Sequence, residues 1–223
     1  MTKINILFED NHILVAEKPP NMLSQGDITG DEDILTLLKN YLKQKYNKPG
    51  NVYLGLVHRL DRPVGGVMVF ARTSKAASRL SEQIRTGVLS KSYMAVVRGI
   101  PEKLSDTLVN FLAKDEKTNT VAVVRTPEEG KRASLEYEVK GSKDGLSLVR
   151  IRLHTGRPHQ IRVQLATIGH PLYGDVKYGA ELNKPGMQLA LWSAEIGFIH
   201  PTLKKSEVFE SVPPAVYPWN LFL

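Results

Sequence analysis

The chain has 223 residues, 42% apolar and 24% charged, which is enough to bury a core and argues against a wholly disordered polymer. No apolar run is long enough to span a bilayer. The acidic opening MTKINILFED lacks the apolar core of a secretory signal, and with no cysteine, disulfides and thiolate metal sites are excluded. A cytoplasmic protein with no membrane association is the expectation.

The net charge of +7 is unevenly spread. Residues 1–50 hold six Lys against seven Asp or Glu, a net of −1, so the remainder carries +8. From Gly145 to Gly174 there is no acid, but there are four Arg (150, 152, 157, 162) and three His (154, 159, 170). From Arg72 to Arg98 six Lys or Arg face one acid, Glu82. Such cationic stretches suit a polyanion, because phosphate contacts release condensed counterions. A solvated basic surface has the same composition.

In chain order, alternation predicts strands at Ile4–Phe8 and His12–Glu17, the second ended by Lys18-Pro19-Pro20. Gln25–Asp33 reads as a loop. A helix follows, with Ile34, Leu37, Leu38, Tyr41 and Leu42 on one face, Asp33 as N-cap and Pro49-Gly50 as the stop. Val67–Ala71 reads as a buried strand. Thr73 or Ser74 caps a second helix that stops at Gly87. Strands are expected at Lys91–Arg98, Leu108–Leu112, Thr120–Val124, Ser134–Lys140 and Leu146–Leu153, with a loop at Lys114–Asn119. A third helix is expected from Pro158 to Ile168, stopped by Gly169, then a strand over Met187–Ile199 and an extended tail from Pro213. Many strands at hairpin spacing with few helices give an α+β fold, a mixed, mainly antiparallel central sheet flanked by helices and loops. No repeat or linker interrupts it, so one domain over 1–223 is expected.

Three segments could carry chemistry. In Leu56-Val57-His58-Arg59-Leu60-Asp61-Arg62-Pro63-Val64-Gly65-Gly66 a carboxylate stands between two arginines, and glycines permit backbone approaches that a side chain would block. Nearby cations favour an ionised carboxylate, which can act as nucleophile, base or charge stabiliser. A loop ion pair beside a turn has the same composition and is the commoner use. In Thr155-Gly156-Arg157-Pro158-His159-Gln160-Ile161-Arg162, His159 and Arg162 share a helical face, with Ile161, Leu165 and Ile168 inward. That is an anion- or base-binding edge, or a basic surface helix. In Lys91-Ser92-Tyr93, the tyrosine is either core or a base-stacking platform. The histidines lack carboxylates at ligand spacing, so no metal is expected. Phosphate-cradling Gly-Lys-Ser/Thr and Gly-x-Ser-x-Gly motifs are absent.

Taken together, these segments resemble the RluA-type RNA pseudouridine synthases. His58-Arg59-Leu60-Asp61 is similar to that family's signature, Lys91-Ser92-Tyr93 to its Lys-x-Tyr strand, and Thr155–Arg162 to its third motif. Asp10 through Lys18-Pro19, Gly169–Asp175 and Leu189-Ala190-Leu191 fit its opening and later parts, so the likeness covers nearly the whole chain. One departure is Arg62-Pro63-Val64-Gly65, where relatives usually place a small hydroxylated residue and then Ser-Gly.

The resemblance implies a cofactor-free isomerase that converts uridine to pseudouridine in rRNA or tRNA. It implies Asp61 as the catalytic residue, Arg162 as its partner and Tyr93 against the target base. Arg59, Arg62, Lys91, Arg157, His159 and Gln160 are implied RNA contacts, and a monomer is expected. Two other readings compete: a non-catalytic RNA-binding or assembly protein that kept the fold, opposed by the intact Asp61, Tyr93 and Arg162; and a nucleoside or glycoside hydrolase, which needs a second carboxylate or metal-bound water that the motifs do not supply.

Overall fold

The computed structural model describes residues 4–222. In chain order the elements are β1 (Asn5–Glu9), β2 (Ile13–Lys18), α1 (Ile34–Lys45), β3 (Gly55–Leu56), β4 (Gly65–Ala71), α2 (Ser74–Thr86), β5 (Ser90–Arg98), β6 (Ser105–Asp115), β7 (Thr120–Val124), β8 (Lys131–Lys143), β9 (Leu146–Leu153), α3 (Gln160–Thr167), β10 (Leu191–Ile199) and β11 (Ser206–Glu210). The fold is α+β, with mostly antiparallel strand pairs. The chain forms two compact units, Met1–Lys91 with Ser193–Val212, and Ser92–Trp192 with Pro213–Leu223.

In the first unit β1 pairs with β2, β2 with β4, β4 neighbours β10, and β11 pairs with β10. The β1–β2 turn is set by Asp10, whose Oδ1 accepts from the His12 and Ile13 amides at 2.7 Å. Asp33 caps α1 by accepting from the Thr36 amide at 2.9 Å, and Thr73 caps α2 by accepting from Ala76 at 3.1 Å. Gly87 ends α2 at φ 75°, the left-handed conformation that glycine tolerates. Helix α1 ends at Lys45, before the expected Pro49-Gly50. The core joins Ile13, Val15, Val67, Val69 and Ala71 to Leu80 of α2 and Ile196 and Phe198 of β10. All seven residues of β4 are buried, as its unbroken apolar run predicts.

In the second unit the strand order is β5-β9-β8-β6-β7. Thr120–Val124 and Leu146–Leu153 lie where the sequence placed them, but β6 runs to Asp115, through the start of the expected loop. Strand β10 begins at Leu191, not Met187, and the tail carries a short 3-10 helix at Trp219–Leu221. Helix α3 packs Val163 against Leu112, Val121 and Ala133. It starts at Gln160 rather than Pro158, because His159 adopts the left-handed φ of 48° and breaks the helical path. Gln160 to Leu165 are all buried, so α3 is not a basic surface helix, although Ile168 at its end is exposed.

Candidate active site

The Asp61 loop leaves the short strand β3 and re-enters the sheet at β4. Its backbone is held on both sides of the half-buried carboxylate. Before it, the Ser24 hydroxyl donates to the Leu60 carbonyl at 2.8 Å and accepts from the Leu60 amide at 3.1 Å. After it, the Lys18 ammonium donates to the Arg62 carbonyl at 3.1 Å, and also to the carbonyls of Pro19 (3.0 Å) and Met22 (2.7 Å). The Val64 amide closes a turn on the Asp61 carbonyl at 3.0 Å. Val64 is itself 2% exposed, so the residue that departs from the expected motif fills core.

Lys18 is fully buried. Burial pulls its ammonium down to about 7, while the charge of Asp61 pushes it back up and that of Arg62 lowers it further. Three carbonyl oxygens match the three N–H groups of an ammonium ion. His58 is a second brace. The Val69 amide donates to its Nε2 at 3.1 Å, so the neutral ring carries its proton on Nδ1. Burial and then the Lys91 charge depress the imidazole to about 3, which keeps it neutral at working pH. Burial also lowers the Lys91 ammonium. Gly66 follows at φ 115°, and a Cβ there would lie 2.7 Å from the Ser193 nitrogen and closer still to its carbonyl oxygen. The glycine is required by that close approach of β10, as the motif suggested. Arg59 is exposed. Arg62 is also on the surface, donating to the Asn21 carbonyl at 3.2 Å and pairing with Asp31 at 2.7 Å.

In the second unit, Tyr93 is buried on β5 opposite Ile151 of β9. Arg162, 8% exposed, is held by Asp175: Nε to Oδ2 at 2.7 Å and Nη2 to Oδ1 at 2.8 Å. Nε and Nη2 form the edge of the guanidinium that faces Asp175. Its ring neighbour is Tyr178, 5.1 Å from the guanidinium carbon. Gln160, expected at an RNA-contacting edge, is 2% exposed instead. Its amide donates to the Ser134 carbonyl at 3.0 Å and accepts from the Thr155 hydroxyl at 2.8 Å and the Arg157 amide at 3.0 Å. With those bonds made inside the fold, Gln160 braces the segment rather than lining a surface. Arg157 donates through Nε to the Arg132 carbonyl at 3.0 Å, and His159 is half-buried with Nδ1 2.6 Å from the Tyr178 hydroxyl.

The sequence reading missed Lys18 as a brace and Asp175 as the partner that holds Arg162. Both left a trace. Lys18 closes an otherwise apolar strand beside Glu17, and Asp175 is the first acid after the acid-free Gly145–Gly174 stretch.

Within the first unit Asp61 stands on a loop held on both sides, and within the second Arg162 is a buried cation fixed by a carboxylate fork. Residues 12–167 match the family described as RNA pseudouridylate synthase, and the chain belongs to that family. Its relatives place it in the RluA-type branch. It is 34% identical to an uncharacterized RNA pseudouridine synthase of Aquifex aeolicus, covering 97% of this chain and 72% of that protein. It is 33% identical to the ribosomal large subunit pseudouridine synthase D of Zymomonas mobilis, covering 95% and 69%. The fold is shared with the human RNA pseudouridylate synthase domain containing 4, at TM-score 0.80 and 23% identity over 97% of this chain and 91% of that one. Among the described residues no helix is long and apolar enough to cross a membrane.

Proposed function

We propose that the chain acts as a single catalytic domain whose essential group is Asp61, working on a uridine flipped out of structured RNA. The observation that carries this is the Asp61 loop. Its backbone is fixed at Leu60 by Ser24 and at Arg62 by Lys18, within the segment that matches the synthase family. Fixing the backbone of a charged group removes reorganisation from the reaction. The bond from the sugar's C1′ to N1 of uracil breaks, a bond from C1′ to C5 forms, and the proton lost from C5 is matched by one taken up at N1. Atoms and electrons balance within one nucleotide, so no cofactor is required. Attack at C1′, removal of a sugar proton and attack on the ring each make the carboxylate indispensable, so one variant tests all three.

Tyr93 is assigned to the uracil face and Arg162 to the charge of the catalytic carboxylate, both by family resemblance. Arg59, Arg62, Lys91, Arg157 and His159 are the proposed RNA contacts. Unstacking the target costs a few kcal/mol, least in a loop. The name of the Zymomonas relative, a ribosomal large subunit pseudouridine synthase, makes large-subunit ribosomal RNA the first substrate to try, with transfer RNA the second. A cytoplasmic monomer is part of the same reading.

The test is pseudouridine mapping of total RNA from cells with and without the gene, rescued by wild type or Asp61→Asn. A site restored by wild type alone is the expected result. A site restored equally by Asp61→Asn removes Asp61 from the mechanism, and RNA binding by the purified protein without any modified site makes it a binding protein.

A further inference from the structure

Tyr178 has no part in the reaction as proposed above, yet β7 and α3 of the second unit meet on it. Its hydroxyl accepts from the Val121 amide of β7 at 2.9 Å and lies 2.6 Å from His159 Nδ1. Its ring lies beneath the Arg162 guanidinium, 5.1 Å from centroid to carbon, and meets the His159 ring edge-on at 5.7 Å. Its amide donates at 3.3 Å to Asp175 Oδ1, the same oxygen that accepts from Arg162 Nη2. The ring also packs against the apolar cluster of Leu112, Val121, Ala133 and Val163, so the platform is anchored.

The two halves of this side chain act on different partners. Asp175 fixes the edge of the Arg162 guanidinium and Tyr178 fixes its face, which together set the plane of the group. His159 occupies the N-cap position of α3 at φ 48° and its side chain caps nothing. An unusual backbone conformation of this kind persists only where its surroundings hold it, and here the ring is held by the tyrosine hydroxyl. With the Val121 amide on one lone pair, the hydroxyl keeps its proton and a second lone pair; donated to Nδ1, that proton leaves Nε2 to carry the N–H of a neutral imidazole.

We infer that Tyr178 is the positioning residue of this segment, orienting Arg162 with its ring and His159 with its hydroxyl. The first half rests on the catalytic role proposed for Arg162; the second does not. The test uses the full chain, with total RNA from a gene-deleted strain as substrate and pseudouridine read at the mapped site. Tyr178→Phe keeps the ring. It should raise the KM for RNA by about three- to tenfold with kcat within about twofold, and add nothing in a His159→Ala background. Tyr178→Leu removes the face and should lower kcat by about tenfold or more. Both halves are overturned if the two variants keep kcat and KM within about twofold of wild type while Arg162→Ala and Asp61→Asn are impaired. A normal kcat in Arg162→Ala strikes the role of Arg162 instead, and the hydroxyl's role is then read without turnover. Imidazole nitrogen NMR at pH 8 should show the Nε2–H tautomer of His159 in wild type and a changed tautomer ratio in Tyr178→Phe. An unchanged ratio overturns it.

Discussion

Lys18 should make the protein more stable as pH rises from neutrality, the reverse of what most surface lysines contribute. In the native state burial holds its ammonium near 7, against an ordinary value of 10.5 in the unfolded chain. Between those values the unfolded chain keeps a proton that the native state has lost, so unfolding takes one up and native stability climbs with pH. Below pH 7 both states are charged and the native state bears the whole penalty; above 10.5 both are neutral and the penalty is gone. The slope approaches about 1.4 kcal/mol per pH unit, and integrating from pH 7 to 9 gives about 2 kcal/mol from this one group. Urea unfolding of wild type and Lys18→Met at pH 7, 8 and 9 isolates it, since other groups cancel in the difference. Wild type should gain about 2 kcal/mol on Lys18→Met over that range. Curves that stay parallel within about 0.5 kcal/mol would show that three carbonyl acceptors and Asp61 offset burial fully, refuting the reasoning.

Three further outcomes follow from the site. Gly66→Ala places a Cβ against the Ser193 backbone at a φ that disfavours it, and should cost about 3 kcal/mol in denaturant midpoint measurements, with activity lost in parallel. Asp175→Ala removes the carboxylate that forks the buried Arg162 guanidinium, and should destabilise by about 3–5 kcal/mol in the same assay. Adding Arg162→Met to it should recover part of that loss. Arg62→Ala breaks an ion pair whose side chains are 47% and 48% exposed, so stability should change by less than about 1 kcal/mol. A rise in the KM for RNA would then report a lost contact rather than a lost fold.

What could be read in advance was whatever depends on neighbours in sequence. The caps Asp33 and Thr73, the stop at Gly87 and the buried run of β4 follow from local spacing, and they stand where expected. The need for a glycine at position 66 was legible too, although the partner that enforces it, Ser193, was not. The Asp61 loop could be recognised but not its supports, because Ser24 and Lys18 reach it from 36 and 44 residues away. The start of α3 was misplaced because Pro158 favours a first helical position only if the following residues continue the helix. The left-handed turn at His159 overrides that preference, and its ring is held by Tyr178, 19 residues on. Gln160 was read as part of an anion- or base-binding edge at the start of the helix, and so as an RNA contact. Its burial depends on three partners, of which Ser134 is 26 residues away.

The first unit draws on two stretches of chain, and this bears on how the protein is made. Strand β4 ends at Ala71 and its neighbour β10 begins at Leu191. On a ribosome, β4 therefore emerges with one flank matched only at its end, where β3 pairs with Phe70 and Ala71, and the rest of that flank stays open until most of the chain has been synthesised. An apolar strand waiting with an open edge is the species from which aggregation starts. Gly66 belongs to that waiting edge, and its missing side chain is what admits Ser193 when it arrives. Yield in a host cell should accordingly respond to growth temperature and to chaperones that shield strands. Truncations that stop short of residue 193 should be recovered as insoluble material rather than as a smaller folded domain.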